Sequence, residues 1–508
     1  MIVTDLIDRG ARQFGDRPAI LFDGKSLTFA EVDRTSTQIA RRLVETHGLA
    51  PGAPIGLLMG NGLLSVSMDF ACMKARLMRV PLNSRLSAVE HARMLSGIGA
   101  AVLVHGAAHA DRARELAEAV PGLSTLEIES GIAADLDAVS DTPLPAAQPD
   151  DPVLALYTSG TSGVLKAAVH TQATYSAVAA NILLNLVDPR PGDVMLHAAS
   201  LIHASGTFVL PYWIRGGASA VLGGFEPGAY LEAIEQVRPA ALNLVPTMIG
   251  MLLEHPECAR TDFTPVRDII YGASPMPRPM ILKALDRWGP RLSQFYGQTE
   301  APLCIAVLSK EDHIGAGAER RLSACGRPAL DCELRLVAED GSEAAPGSEG
   351  EILVRAPFLM TGYHGAPELN AETFAGDGWL RTRDIGRTDE AGFLHLVDRA
   401  SDMIVTGGYN VYPREVEDVL AAHPCILEVV VVGLPDDKWG EAVAAFVVTR
   451  AEIGFDEAHV LAYAREHLAS YKAPKSIHCV ETLPKSAVGK PLRRAVREPF
   501  WAGRERRI

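Results

Sequence analysis

The sequence predicts an α/β protein: a large N-terminal domain of parallel-rich αβ subdomains with a small β-barrel-like region, followed by a small α+β C-terminal domain. Three observations predict it. The chain has 508 residues, more than one hydrophobic core usually serves, so at least two domains are expected. In the first half, short β-like runs alternate with longer helical ones, the rhythm of βαβ units. Near residue 330 the pattern turns to short alternating strands, and near residue 400 to a mixed α+β series.

Taken in order, the apolar run 55–59 precedes a helical stretch over 62–77, and the run 101–104 precedes another over 110–120. The Pro-, Ala- and Asp-rich stretch 141–151 reads as a surface connector between subdomains, ahead of a strand over 153–157. Strands over 333–337, 351–355 and 392–396 form the β-rich region. A helix over 414–422, strands over 427–433 and 444–449, and a helix over 456–469 make up the last unit. The domains are accordingly placed at 1–400 and 401–508.

Apolar residues make up 48% of the chain and charged ones 22%, which suits a globular protein and excludes disorder. The net charge of −14 opposes general binding to nucleic acid or to an anionic membrane, so an anionic ligand needs a local basic site. No nucleic-acid partner is expected. Seven cysteines without a CxxC pair suggest neither a disulfide framework nor a zinc site, and point to a reducing, cytoplasmic compartment. The first residues lack the order of a secretory signal, and no apolar run approaches the roughly 18–20 residues of a spanning helix, so no integral membrane association is expected.

The most informative segment is Thr158-Ser159-Gly160-Thr161-Ser162-Gly163-Val164-Leu165-Lys166, directly after the strand ending at Tyr157. Its glycines let backbone N–H groups face an anion, its hydroxyls add donors and Lys166 adds charge. A Ser/Thr/Gly surface turn has the same composition, and the spacing is not that of a Walker A loop. The loop alone leaves both readings open.

Its neighbours decide between them. Leu201-Ile202-His203-Ala204-Ser205-Gly206, Tyr271-Gly272-Ala273-Ser274-Pro275, Tyr296-Gly297-Gln298-Thr299-Glu300, the stretches 350–355 and 379–386, Asp398-Arg399, Gly407-Gly408-Tyr409-Asn410-Val411-Tyr412-Pro413 and Pro484-Lys485-Ser486-Ala487-Val488-Gly489-Lys490 follow in order. Together with the loop they resemble the adenylate-forming superfamily along almost the whole chain, and the run through Trp439-Gly440-Glu441 resembles its acyl-CoA synthetase branch in particular. The resemblance implies ATP, Mg²⁺ and CoA as cofactors, a small-molecule carboxylic acid as substrate, and an acyl-CoA made through an acyl-adenylate. A homodimer is the default assembly.

The resemblance also implies roles. Thr158, Ser159, Gly160, Thr161, Ser162, Gly163 and Lys166 would hold the β- and γ-phosphates, Thr299 the α-phosphate, and Glu300 the metal. Tyr296, Gly297, Gly272, Ala273 and Ser274 would flank the adenine, with Asp384 and Arg399 on the ribose. His203, Gly206, Thr207, Tyr271 and Gly272 would border the acyl pocket. Lys490 would reach the carboxylate and α-phosphate during adenylation. Ser401 would be the hinge about which the mobile C-terminal domain turns, and Gly407, Gly408 and Trp439 would line the CoA tunnel. Taken singly, Tyr296 also reads as a core aromatic, Asp384 as a turn residue, Arg399 as a surface ion-pair member, Lys490 as a tail lysine and Trp439 as a core tryptophan.

Three positions depart from the family pattern: Leu165 stands where proline is usual, Arg383 where glycine or a small residue is usual, and Ser401 where Lys or Asp is usual. A carrier-protein thiol in place of CoA, or a nucleotide-binding relative that has lost catalysis, are the competing readings. The acyl-pocket segments are small and apolar with no paired arginine, which favours a monocarboxylic acid, aliphatic or aromatic.

Overall fold

The computed structural model describes residues 1–133, 136, 142–159, 165–202, 204–273, 276, 278–338, 340–399, 404–411, 413–450, 454–484 and 493–502. Gly160, Thr161, Ser162, Gly163, His203, Ser274, Ser401 and Lys490 lie outside them, and Ser159 and Arg399 are described by their backbone alone.

Among the described residues the strands form four sheets, of nine, seven, four and five strands. The nine-stranded sheet has a parallel centre that includes Val194–His197, Ala241–Leu244, Asp268–Tyr271 and Leu292–Gln298, with antiparallel strands at its edges. The seven-stranded sheet is parallel through Ser124–Glu127, Val102–His105, Pro54–Leu58, Met78–Pro81 and Pro152–Ser159. Parallel strands are covered by helices on both faces, so their residues are buried without alternation, as at Val102–His105 and Asp268–Tyr271. This is why short unbroken apolar runs marked them in the sequence.

The stretch 141–151 does not divide two sheets: the strands before and after it, Ser124–Glu127 and Pro152–Ser159, both belong to the seven-stranded sheet. Asp151, at its end, is fixed by an ion pair to Arg76 at 2.7 Å. The β-rich region is an antiparallel sheet of Glu333–Val337, Gly350–Arg355, Leu380–Thr388 and Leu394–Arg399. Here one face is buried and the other is not, so Leu380–Thr388 alternates almost residue by residue. The five-stranded sheet is built from residues 404–479, with Ile426–Asp436 and Gly440–Thr449 as its long antiparallel pair.

One core cluster draws on three sheets: Ile270, Phe295 and Ile305 from the nine-stranded sheet, Ala168 from the seven-stranded sheet, and Ile352, Val354 and Leu380 from the four-stranded sheet. Tyr296 and Ala301, which bracket the turn at residues 299–300, belong to this cluster, and Tyr363 packs against it. Two sheets are also joined through their backbones, where Cys325 N–H donates to the Leu394 carbonyl at 2.7 Å and Leu394 N–H donates to the Gly326 carbonyl at 2.8 Å. Gly326 has φ +109°, and a Cβ there would lie 2.0 Å from the Val307 carbonyl. Only glycine fits.

Gly326→Ala is therefore expected to lower the apparent thermal midpoint by roughly 2–6 °C, the scale of an overpacked core position, measured by differential scanning fluorimetry. An unchanged midpoint would refute this account of the sheet junction.

Candidate active site

Thr299 and Glu300 occupy the turn between the strands Leu292–Gln298 and Ala301–Leu308. The turn is tight because Gly297 has no side chain: a Cβ there would lie 2.4 Å from the Leu303 carbonyl oxygen. Two other segments clamp it. His170 Nε2 donates to the Thr299 carbonyl at 3.0 Å, and Met360 N–H donates to the Glu300 carbonyl at 2.9 Å. The Tyr363 hydroxyl donates to Glu300 Oε1 at 2.6 Å. A carbonyl can only accept, so the His170 proton sits on Nε2. Burial pulls the His170 pKa down to about 4, so the ring is neutral and works as a fixed donor.

Tyr296 and Asp384 meet from different sheets. The buried Tyr296 hydroxyl donates to Asp384 Oδ2 at 2.6 Å, and Asp384 pairs through its backbone with Arg399 across the antiparallel ladder. Gly272 lies against Phe295, whose carbonyl oxygen would be 2.6 Å from a Cβ, and Ala273 follows with φ +66°. Thr158 closes the group from the seven-stranded sheet. Its buried hydroxyl has no hydrogen-bond partner among the described residues.

Lys166, on the strand Leu165–Thr171, places its ammonium 5.7 Å from the centre of the Tyr363 ring. Burial pulls its pKa down, as does the Arg383 guanidinium, while Glu300 and Glu372 oppose them. Arg383 leans toward Glu372, with Nη2 3.4 Å from Oε2. Its φ is +62°, which explains the glycine expected there: a side chain in that conformation costs roughly 1–2 kcal/mol. Leu165 simply opens the strand, paired with Ser159 across the ladder.

The acyl-pocket expectation is corrected at Tyr271. Its ring is fully buried in the core and its hydroxyl is bound to His313 Nε2 at 2.9 Å, so the side chain faces the interior and only the backbone leads to Gly272. The sequence pattern cannot distinguish these, because consecutive strand residues point to opposite sides. Gly206 packs against the Leu201 carbonyl and Thr207 donates to the Ala204 carbonyl at 2.5 Å, so both belong to one compact turn.

Gly407 and Gly408 both adopt left-handed backbone, at φ +58° and +80°. A Cβ on Gly407 would meet the Trp439 ring at 2.7 Å, and one on Gly408 would lie 3.5 Å from Val245 of the nine-stranded-sheet region. Trp439 is 38% exposed and borders these glycines, which rules out a place in the domain core. Sequence reasoning missed His170, Tyr363 and Glu372. His170 and Tyr363 adjoin recognised motifs in space, and only the antiparallel pairing of Gly362–Tyr363 with Leu165–Thr171 brings Tyr363 there.

A family model described as AMP-binding enzyme matches residues 7–364, and one described as AMP-binding enzyme C-terminal domain matches residues 415–490. The medium/long-chain-fatty-acid–CoA ligase FadD8 of Mycobacterium tuberculosis is 37% identical, over 97% of this chain and 89% of its own. The amide bond synthetase McbA of Marinactinospora thermotolerans superposes with a TM-score of 0.90 at 32% identity, over 98% of this chain and 100% of its own. The o-succinylbenzoate CoA synthetase of Bacillus subtilis is 30% identical in each of two forms, covering 97% of this chain. With its product analogue OSB-NCoA the TM-score is 0.87, over 98% of that chain; with the acyl-adenylate OSB-AMP it is 0.71, over 97%. With its paired domain matches and a relative of this identity along nearly its full length, the chain belongs to the AMP-binding enzyme family, the adenylate-forming superfamily, in its acyl-CoA ligase branch.

Proposed function

We propose that this ligase activates a monocarboxylic acid in two half-reactions in the cytoplasm, with the residues named above in the roles their motifs imply. The observation that carries the reading is the convergence of Thr158, Lys166, Thr299, Glu300, Tyr296 and Asp384 from three sheets. In the first half-reaction a carboxylate oxygen attacks the α-phosphorus of ATP and the bond to pyrophosphate breaks. In the second, the CoA sulfur attacks the acyl carbon, the thiol proton is lost and AMP leaves. The residues' task is to orient two anions and neutralise charge as it moves.

In this reading the loop 158–166 cradles the β- and γ-phosphates, Tyr296 flanks the adenine, and Asp384 and Arg399 bind the ribose. Glu300 supplies a hard oxygen to Mg²⁺, and the Tyr363 hydroxyl, donating to Oε1, orients the carboxylate. A single carboxylate fits a cation that takes its other ligands from phosphates and water. Lys490 completes the adenylation site, and rotation about Ser401 then exchanges it for Gly407, Gly408 and Trp439. The packing of Gly408 against Val245 and the closer likeness to the product-analogue form support reading the described arrangement as the thioester-forming one.

The described residues of segments 204–208, 243–248 and 303–305 carry no basic side chain, so a second carboxylate would be buried without a counter-charge. FadD8's name favours a medium or long aliphatic acid. The likeness to McbA adds one competing acceptor, an amine. All seven cysteines are free thiols, which supports the reducing compartment, and we take a homodimer as the assembly, to be read by light scattering.

Four outcomes are expected. AMP release across a panel of aliphatic and aromatic monocarboxylic acids should depend on CoA, with acyl-CoA confirmed by mass; amide formation with an amine and no thioester would reassign the acceptor. Lys490→Ala should abolish acid-dependent ATP–pyrophosphate exchange yet spare thioester formation from a supplied acyl-adenylate, and equal loss of both would refute its role. Arg383→Gly should raise the thermal midpoint by roughly 2–4 °C through relief of the left-handed backbone. Removing that neighbouring cation also stabilises the protonated form of Lys166, so the pH profile of its acetylation, followed by mass spectrometry, should move upward; a downward move would contradict the electrostatics.

A further inference from the structure

Lys472 is buried, 3% exposed at its side chain, and donates to two carboxylates: Glu90 Oε1 at 2.8 Å and Glu415 Oε1 at 2.6 Å. Glu415 lies in the first turn of the helix Pro413–Ala421, so it belongs with Lys472 to the C-terminal unit. Glu90 is 382 residues away from Lys472 in sequence, in the first turn of the helix Ala88–Ile98. Its other oxygen is already occupied, accepting from the Ser87 N–H and hydroxyl at 2.8 Å each. This capping box fixes the Glu90 carboxylate independently of any docking.

The same strip carries further contacts. The Arg85 guanidinium lies 4.7 Å over the Tyr409 ring and donates to its hydroxyl, and the Tyr409 ring packs on that of Tyr471 with centroids 4.6 Å apart and planes tilted by 33°. Residues 85–90 therefore meet Tyr409, Glu415, Tyr471 and Lys472 as one interface, and Gly408, next to Tyr409, is the glycine seated on Val245.

We propose that Lys472 is a positioning residue, a latch whose bond to Glu90 holds the C-terminal domain in the thioester-forming orientation and is broken when the domain turns to adenylation. The inference rests on the two-orientation reading above. Of the two bonds that Lys472 makes, rotation leaves the one to Glu415 intact, because both travel together, and severs the one to Glu90 along with the Arg85–Tyr409 contact. The docked cluster carries two carboxylates for one ammonium, and burial pushes the Glu415 carboxyl up to about 7. Glu415 Oε2 is buried without a partner among the described residues. Docking is thus held in register by a specific ion pair and at the same time opposed by the cost of burying a second carboxyl group beside it, which keeps it reversible.

The test is Glu90→Gln in the full chain, since glutamine keeps the capping acceptor and removes the charge that faces Lys472. In single-turnover experiments, thioester formation from a supplied acyl-adenylate and CoA should slow about tenfold or more, while acid-dependent ATP–pyrophosphate exchange stays at or above the wild-type rate. Lys472→Met should give the same split, with Glu90→Gln deciding should that variant fold poorly. Equal slowing of both half-reactions would mean a merely structural contact and overturn the latch, as would no change in either. Failure of the wild type itself to form thioester would instead overturn the two-orientation reading, and the latch with it.

Discussion

The hydrogen bond between the Tyr296 hydroxyl and Asp384 joins a strand of the nine-stranded sheet to a strand of the four-stranded sheet, at 2.6 Å between two largely buried side chains. The bond offsets part of the cost of taking a phenol and a carboxyl group out of water at an apolar junction. It also fixes the relative position of the two sheets. The turn carrying Thr299 and Glu300 and the segment preceding Arg399 are thereby held in a common frame, although they come from different sheets and distant stretches of chain.

Around that bond the site is built by support from behind. His170 holds the Thr299 carbonyl, Tyr363 holds one oxygen of Glu300, and the missing side chains of Gly272 and Gly297 let backbone approach backbone. These groups act through the ones that would touch a ligand, which is how a site keeps its geometry while its first contacts stay open. The contact between the N-terminal region and residues 408–415 and 471–472 has another character. It uses ions, glycine and packed aromatic rings, which suits surfaces that must part and meet again.

Much of this was legible in the sequence, and for a physical reason. Parallel strands buried on both faces give unbroken apolar runs, so those at 55–59 and 101–104 marked Pro54–Leu58 and Val102–His105. Contiguous motifs such as Tyr296 to Glu300 show because a tight turn needs its residues side by side. Tyr363, His170 and Glu90 were not legible, because each acts across a long sequence separation set by strand pairing or by docking of the two regions. The ring of Tyr271 was misplaced because the pleat decides which way it points. Arg383 showed only as a departure from the family pattern, and its left-handed backbone supplied the reason.

The thiols of this chain are unequal in a way that bears on how it can be handled. Six of the seven cysteines are buried and Cys479 alone is exposed, on the strand Ser476–Cys479 of the C-terminal sheet. Burial raises the Cys72, Cys304 and Cys332 thiols, the last to about 12, which starves any reagent of thiolate there. The native sequence thus carries its own attachment point for a dye on the part of the molecule that would swing, and a maleimide would label it with no cysteine removed beforehand.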